Sequence, residues 1–150
     1  MKSTGFRLGG TTPAPPPPVA GAPSLLRPDL AGRSVMVVED EGLVALDIEM
    51  ALLEAGATVA GPYMTLQEAQ RAILSGARPD AVILDVNIGG EMVWPLARLL
   101  GERGLPFLFH TANGDVPEIG EFPGVTVCRK PMLPETLIAA VADVLRPRDA

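Results

Sequence analysis

From Ser34 to Leu145, short apolar runs alternate with stretches of helical periodicity, the pattern of parallel strands joined by crossover helices. Ser34–Val38 reads as a buried strand. Leu43–Glu54 follows as a helix carrying Leu43, Leu46, Met50 and Leu53 along one apolar face at three- and four-residue spacing, with Gly56 as a natural stop. Ala57–Gly61 is the second strand, and Thr65 with Glu68 forms a capping box that opens a helix to about Ser75. Asp80–Val86 is the third strand. The next helix begins near Val93 and tolerates Pro95 in its first turn, where a missing N–H costs nothing.

Leu105–Phe109 is the fourth strand. Between residues 112 and 123 stand Asn113-Gly114, Pro117, Gly120 and Pro123, so a helix in that crossover is short or absent. Val125–Cys128 is the fifth strand, and Pro134 opens a last helix through Leu145. Five βα units predict an α/β fold, a doubly wound five-stranded parallel sheet of flavodoxin-like order 2-1-3-4-5 with a shortened or absent fourth helix.

Residues 1–33 break this pattern. They hold seven of the sixteen prolines, Pro15 to Pro18 among them, with Gly, Ala, Ser and Thr making up most of the rest. Such a stretch favours extended polyproline II and predicts a disordered proline-rich tail before a folded domain at 34–150. Charge is divided in the same way: of the net −6, residues 1–33 contribute +3 and the remainder −9. An acidic domain without basic clusters is a poor nucleic-acid ligand, so DNA and RNA are set aside as partners. A single cysteine, Cys128, excludes an intrachain disulfide and suits a reducing cytoplasm. No run of about 18 apolar residues is present to span a membrane.

In a doubly wound sheet, ligands gather beyond the carboxyl ends of the strands. There the chain places Glu39-Asp40-Glu41, Asp85, Thr111 and Lys130-Pro131. Singly, each has a plain reading: an acidic first turn, a strand-end turn residue, a loop hydroxyl, a solvated lysine. Jointly, one group at each expected strand end, they point to a site. Val37-Val38-Glu39-Asp40-Glu41, Leu84-Asp85-Val86-Asn87, Thr111-Ala112 and Lys130-Pro131 resemble the receiver domain of bacterial two-component response regulators over roughly Ser34–Leu145.

The resemblance implies that Glu39 and Asp40 hold a metal, that Asp85 is the phosphoacceptor, and that Thr111 and Lys130 bind the phosphoryl group. Glu39, Asp40, Asp85 and the backbone carbonyl of Asn87, completed by waters, suit the octahedral oxygen preference of Mg²⁺. A carboxylate attacks phosphorus once the phosphoryl charge is neutralised, which Mg²⁺ and Lys130 would do. Asn87 and Asn113, each two residues beyond a site residue, occupy positions that tune hydrolysis of the acyl phosphate in that family. The segment Pro106 to Gly114 is similar to receivers with a Pro-Phe-x-Phe-Ala-Thr-Gly-type motif, except that His110 stands for Ala and Ala112 for Gly. Val127 stands where many receivers carry a switch aromatic. His110 reads as a half-buried strand-end residue and Cys128 as a buried one.

The expectation is a stand-alone cytoplasmic receiver in a phosphorelay. It would take its phosphoryl group from a sensor histidine kinase or phosphotransfer protein and change its affinity for a downstream protein, with no turnover beyond its own phosphorylation and slow autodephosphorylation. Two alternatives stay open. One is a phosphorylation-independent pseudo-receiver that acts as an interaction module. The other is an aspartate-dependent phosphohydrolase, disfavoured because Asn87 replaces the acid/base carboxylate that haloacid dehalogenase chemistry needs. Relay and binding output are not separated by the residues.

Overall fold

A computed structural model describes residues 29–147. Its elements in chain order are β1 (Ser34–Val38), α1 (Gly42–Glu54), β2 (Thr58–Tyr63), α2 (Leu66–Leu74), β3 (Ala81–Leu84), β4 (Asn87–Ile88), β5 (Glu91–Met92), α3 (Trp94–Glu102), β6 (Phe107–Thr111), β7 (Val127–Arg129) and α4 (Pro134–Leu145). A 3-10 turn, Pro117–Glu121, replaces a helix between β6 and β7, as the glycines and prolines there predict. The sheet order is β2-β1-β3-β6-β7 with every pair parallel, which is the expected 2-1-3-4-5 once the small β4–β5 hairpin is left out of the count.

Because strand side chains alternate, the sheet buries a core on each face. On one face, Met36, Val38, Val82, Leu84, Phe107 and Phe109 pack with α2, α3 and Trp94. On the other, Val35, Val37, Ile83, Leu108 and Cys128 pack with Ile48 and Leu52 of α1 and Leu137, Ile138 and Val141 of α4. Leu30 is also buried in this second core, and its N–H donates to Ala55 O at 2.8 Å. The packed domain therefore begins at least four residues before Ser34, and the rest of the proline-rich tail, residues 1–28, lies outside the described residues.

Helix α1 corrects the expected face. Leu43, Leu46, Met50 and Leu53 are exposed, Leu43 by 81%, while Ala45, Ile48 and Leu52 face the sheet. Apolar residues occur all round this helix, so periodicity alone selected its larger side chains, whereas close approach to the sheet selects the row that includes the small Ala45.

Strand ends also move. β2 runs on to Tyr63 instead of stopping at Gly61, because Gly61 at φ +96° lets the edge strand hug β1; a Cβ there would come within 2.9 Å of Val37 O. β6 begins and ends two residues later than expected, which brings Thr111 into the strand, and β7 is likewise shifted. The β4–β5 hairpin lies outside the five expected βα units, although its Gly89-Gly90 turn is a recognised hairpin signal. Among the described residues no helix is long and apolar enough to cross a membrane.

Candidate functional site

The ladder of the sheet continues one residue past β1 and β3, with Glu39 N–H donating to Tyr63 O and Asp85 N–H to Val38 O, both at 3.0 Å. These bonds fix two carboxylates side by side at the carboxyl edge. Glu39 is 1% exposed and Asp85 7%. With Asp40 they offer oxygen atoms that all lie within 4.8 Å of one another. Three hard oxygen donors, with no sulfur or nitrogen among them, fit a hard divalent cation such as Mg²⁺. Asp40 is also tied to the hairpin, whose Gly89 N–H donates to its Oδ2 at 2.7 Å.

Lys130 closes the cluster from the end of β7. Its Nζ donates to Asp85 Oδ2 at 2.9 Å and to Glu41 Oε1 at 3.1 Å, and stands 2.8 Å from Glu39 Oε2 outside hydrogen-bond alignment. The Lys130–Pro131 peptide is cis. Burial by itself would lower the Lys130 pKa, but its contacts with Glu39, Asp85 and Glu41 outweigh it and hold the ammonium charged well above the usual lysine range. The Glu39 pKa is also pushed up, to about 7, chiefly by burial and further by the Asp85 charge, with Lys130 and the Glu41 N–H pulling against the shift. Glu41, which had no assigned role, is thus a direct partner of the lysine.

The remaining expected residues are placed less uniformly. Thr111 is buried at the end of β6, and its Oγ1 accepts from Asn113 N–H at 3.2 Å, starting the 112–126 crossover. The amide oxygens of both asparagines serve turns: Asn87 Oδ1 accepts from Gly90 N–H at 2.9 Å and Asn113 Oδ1 from Asp115 N–H at 3.2 Å. Cys128 is buried in β7, and burial pushes its thiol pKa up, so it is an inert core residue. His110 is 4% exposed, not half-buried as its strand-end position suggested. Its pKa falls to about 4 through burial and the nearby Lys130 charge, leaving a neutral imidazole.

The crossover is anchored by Phe122, which stacks on Trp94 at 6.0 Å and meets Phe107 and Phe109 edge-on at 6.0 and 5.7 Å. Val127 carries no ring, and the aromatic cluster belongs to the core on the α2–α3 face of the sheet.

No family model matches the chain. It is 28% identical over 123 residues to the phyllosphere-induced regulator PhyR of Methylorubrum extorquens, an alignment that takes in 80% of this chain and 46% of PhyR. The chain therefore spans about half the length of that curated relative. Its fold matches the response regulator receiver protein of Sinorhizobium medicae with a TM-score of 0.68 at 25% identity, over 75% of this chain and 94% of that one. It also matches SdrG from Sphingomonas melonis with a TM-score of 0.66 at 34% identity, over 76% of this chain and 97% of SdrG.

The chain belongs to the response-regulator receiver family. In this receiver, the residues that carried the resemblance in sequence, Glu39, Asp40, Asp85 and Lys130, converge in one cluster, with Thr111 at the end of the strand between Asp85 and Lys130.

Proposed function

We propose that this receiver accepts a phosphoryl group on Asp85 in the presence of Mg²⁺ and thereby changes its affinity for a protein partner. The observation that carries this reading is the joint placement of Asp85 beside Glu39 and Asp40 on one side and the Lys130 ammonium, at 2.9 Å, on the other. Glu39, Asp40 and Asp85, with the Asn87 backbone carbonyl, would hold the ion, which supplies neutralisation of charge on the transferring group. Asp85 Oδ forms the bond to phosphorus as the donor's bond to it breaks. Lys130 then binds one phosphoryl oxygen, and Thr111 donates its hydroxyl hydrogen to another.

The donor is a histidine kinase or a phosphotransfer protein, and the compartment is the cytoplasm. The chain does not turn over a small substrate. Asn87 has no acid to lend to hydrolysis, and its amide oxygen is engaged by Gly90. Thr111 connects chemistry to output, since its Oγ1 already holds the first turn of the 112–126 crossover; drawing it toward a phosphoryl group pulls on that segment.

Incubation with acetyl phosphate or phosphoramidate, with and without Mg²⁺, followed by intact mass measurement in acid, tests the reading. A Mg²⁺-dependent gain of about 80 Da in the wild-type chain and none in Asp85→Asn is expected. A gain retained in Asp85→Asn removes the assignment. No gain from either donor, together with no Mg²⁺ binding, returns the chain to a phosphorylation-independent interaction module.

A further inference from the structure

One buried polar side chain beside the site has no task in the proposed chemistry. Registers Val38↔Leu84 and Leu84↔Phe109, followed one residue on, together with the pair His110↔Cys128, set Glu39, Asp85, His110 and Cys128 in a single row across four adjacent strands. Val37, Ile83 and Leu108, two residues before the first three, face the core on the α1 and α4 side. Alternation puts Glu39, Asp85 and His110 on that same face, so the imidazole is the lateral neighbour of Asp85. The charges of Lys130, Asp85 and Glu41 all act on it.

Neither Nδ1 nor Nε2 has a hydrogen-bond partner among the described residues. A neutral imidazole has one N–H to donate and one nitrogen to accept, and folded proteins rarely leave both buried and unused. The thiol on its other side, Cys128, is a weak partner. The position also departs from the Ala of the motif that the neighbouring residues resemble, so the ring is a feature of this chain.

We propose that His110 is a phosphoryl-binding residue whose ring N–H donates to an oxygen of the phosphoryl group once Asp85 carries it. The inference rests on the reading of Asp85 as phosphoacceptor. Phosphorylation brings strong acceptor oxygens to the one neighbouring carboxylate in the row, and a buried donor beside it has already lost its water. During hydrolysis, the oxygen of water bonds to phosphorus as the bond to Asp85 Oδ breaks, releasing inorganic phosphate and a free carboxylate. A donor that binds the acyl phosphate more strongly than it binds the transition state slows that step.

The full chain is labelled with acetyl phosphate and Mg²⁺, freed of donor, and the 80 Da adduct followed by intact mass, with thermal unfolding of each variant as a check on folding. His110→Ala is expected to shorten the adduct lifetime by about 10- to 150-fold, the loss of one hydrogen bond to a charged group. His110→Asn or His110→Gln, which place an amide N–H near the positions of Nδ1 and Nε2, restore most of it. In the wild type, the imidazole ¹⁵N resonances shift on phosphorylation and the donating nitrogen shows a coupling to the phosphoryl ³¹P across the hydrogen bond, which a packing role or a buried bridging water would not produce. An unchanged lifetime in folded His110→Ala, or ¹⁵N resonances that stay in place, overturns the inference while leaving the phosphoacceptor reading intact. A wild-type chain that takes no phosphoryl group overturns both.

Discussion

The two halves of the sheet's carboxyl edge are held by different means. On the β1–β3 side, Glu39 and Asp85 are fixed by main-chain bonds that extend the parallel ladder, and full helices back both crossovers. On the β6–β7 side, the crossover is a five-residue 3-10 turn, and side chains keep it in place: Phe122 in the aromatic cluster, Thr111 Oγ1 on Asn113 N–H, and the exposed pairs Arg98–Glu121 and Arg129–Asp115. Exposed ion pairs contribute little, so the apolar anchor dominates. The half that supplies carboxylates is thus positioned by backbone, and the half that would read out phosphorylation is positioned by a few substitutable contacts.

The largest expected effect comes from the ring that serves both the core and that anchor. Phe109 is fully buried and touches Trp94, Phe107 and Phe122, so Phe109→Ala should cost about 3–5 kcal/mol in urea unfolding. A loss below about 1 kcal/mol would show that the cluster is not a core element.

Next come the two buried groups with opposite shifts, one in each half. Glu39 titrates near 4.5 unfolded and about 7 folded, so its contribution to stability is complete below pH 4.5 and withdrawn as pH rises through 7. His110 titrates near 6.5 unfolded and about 4 folded, so its contribution is complete above pH 6.5 and withdrawn as pH falls through 4. Between pH 4.5 and 6.5 the folded chain holds one proton more on Glu39 and one fewer on His110, and the two slopes cancel. In chelator, His110→Leu should expose the Glu39 slope, with stability falling by about 3 kcal/mol from pH 4.5 to 7. Glu39→Gln should show the reverse, rising from pH 4 to 6.5. Parallel pH profiles for the two variants would remove both assignments.

The smallest effect should be the most local. Phe122 is half-buried, so Phe122→Ala should cost about 1–2 kcal/mol, less than a full core truncation. Amide hydrogen exchange should quicken across 112–126 and stay unchanged in β1 and β3. Uniform quickening across the sheet would dissolve the contrast between the halves.

Much of this was legible from residue order. Strand order follows from alternating βα units, and the site from one polar group at each strand end, because strand ends are where a parallel sheet must present its ligands. Glycine and proline between 112 and 123 foretold the missing helix, since neither residue sustains a helix interior. The face of α1 was not legible, because Leu43 and Leu52 are equally apolar and only contact with the sheet decides between them.

The sequence by itself determined the chain of elements, the acidic character of the domain and the identity of Glu39, Asp40, Asp85, Thr111 and Lys130 as candidates. These depend on local periodicity, turn chemistry and residue type. Tertiary structure alone decided that Lys130 shares its charge among Glu39, Glu41 and Asp85, that the Gly89 N–H binds Asp40, and that His110 stands beside Asp85 with both nitrogens unused. Those outcomes depend on strand register and burial, which join residues 25 to 91 positions apart and leave no local trace in the sequence.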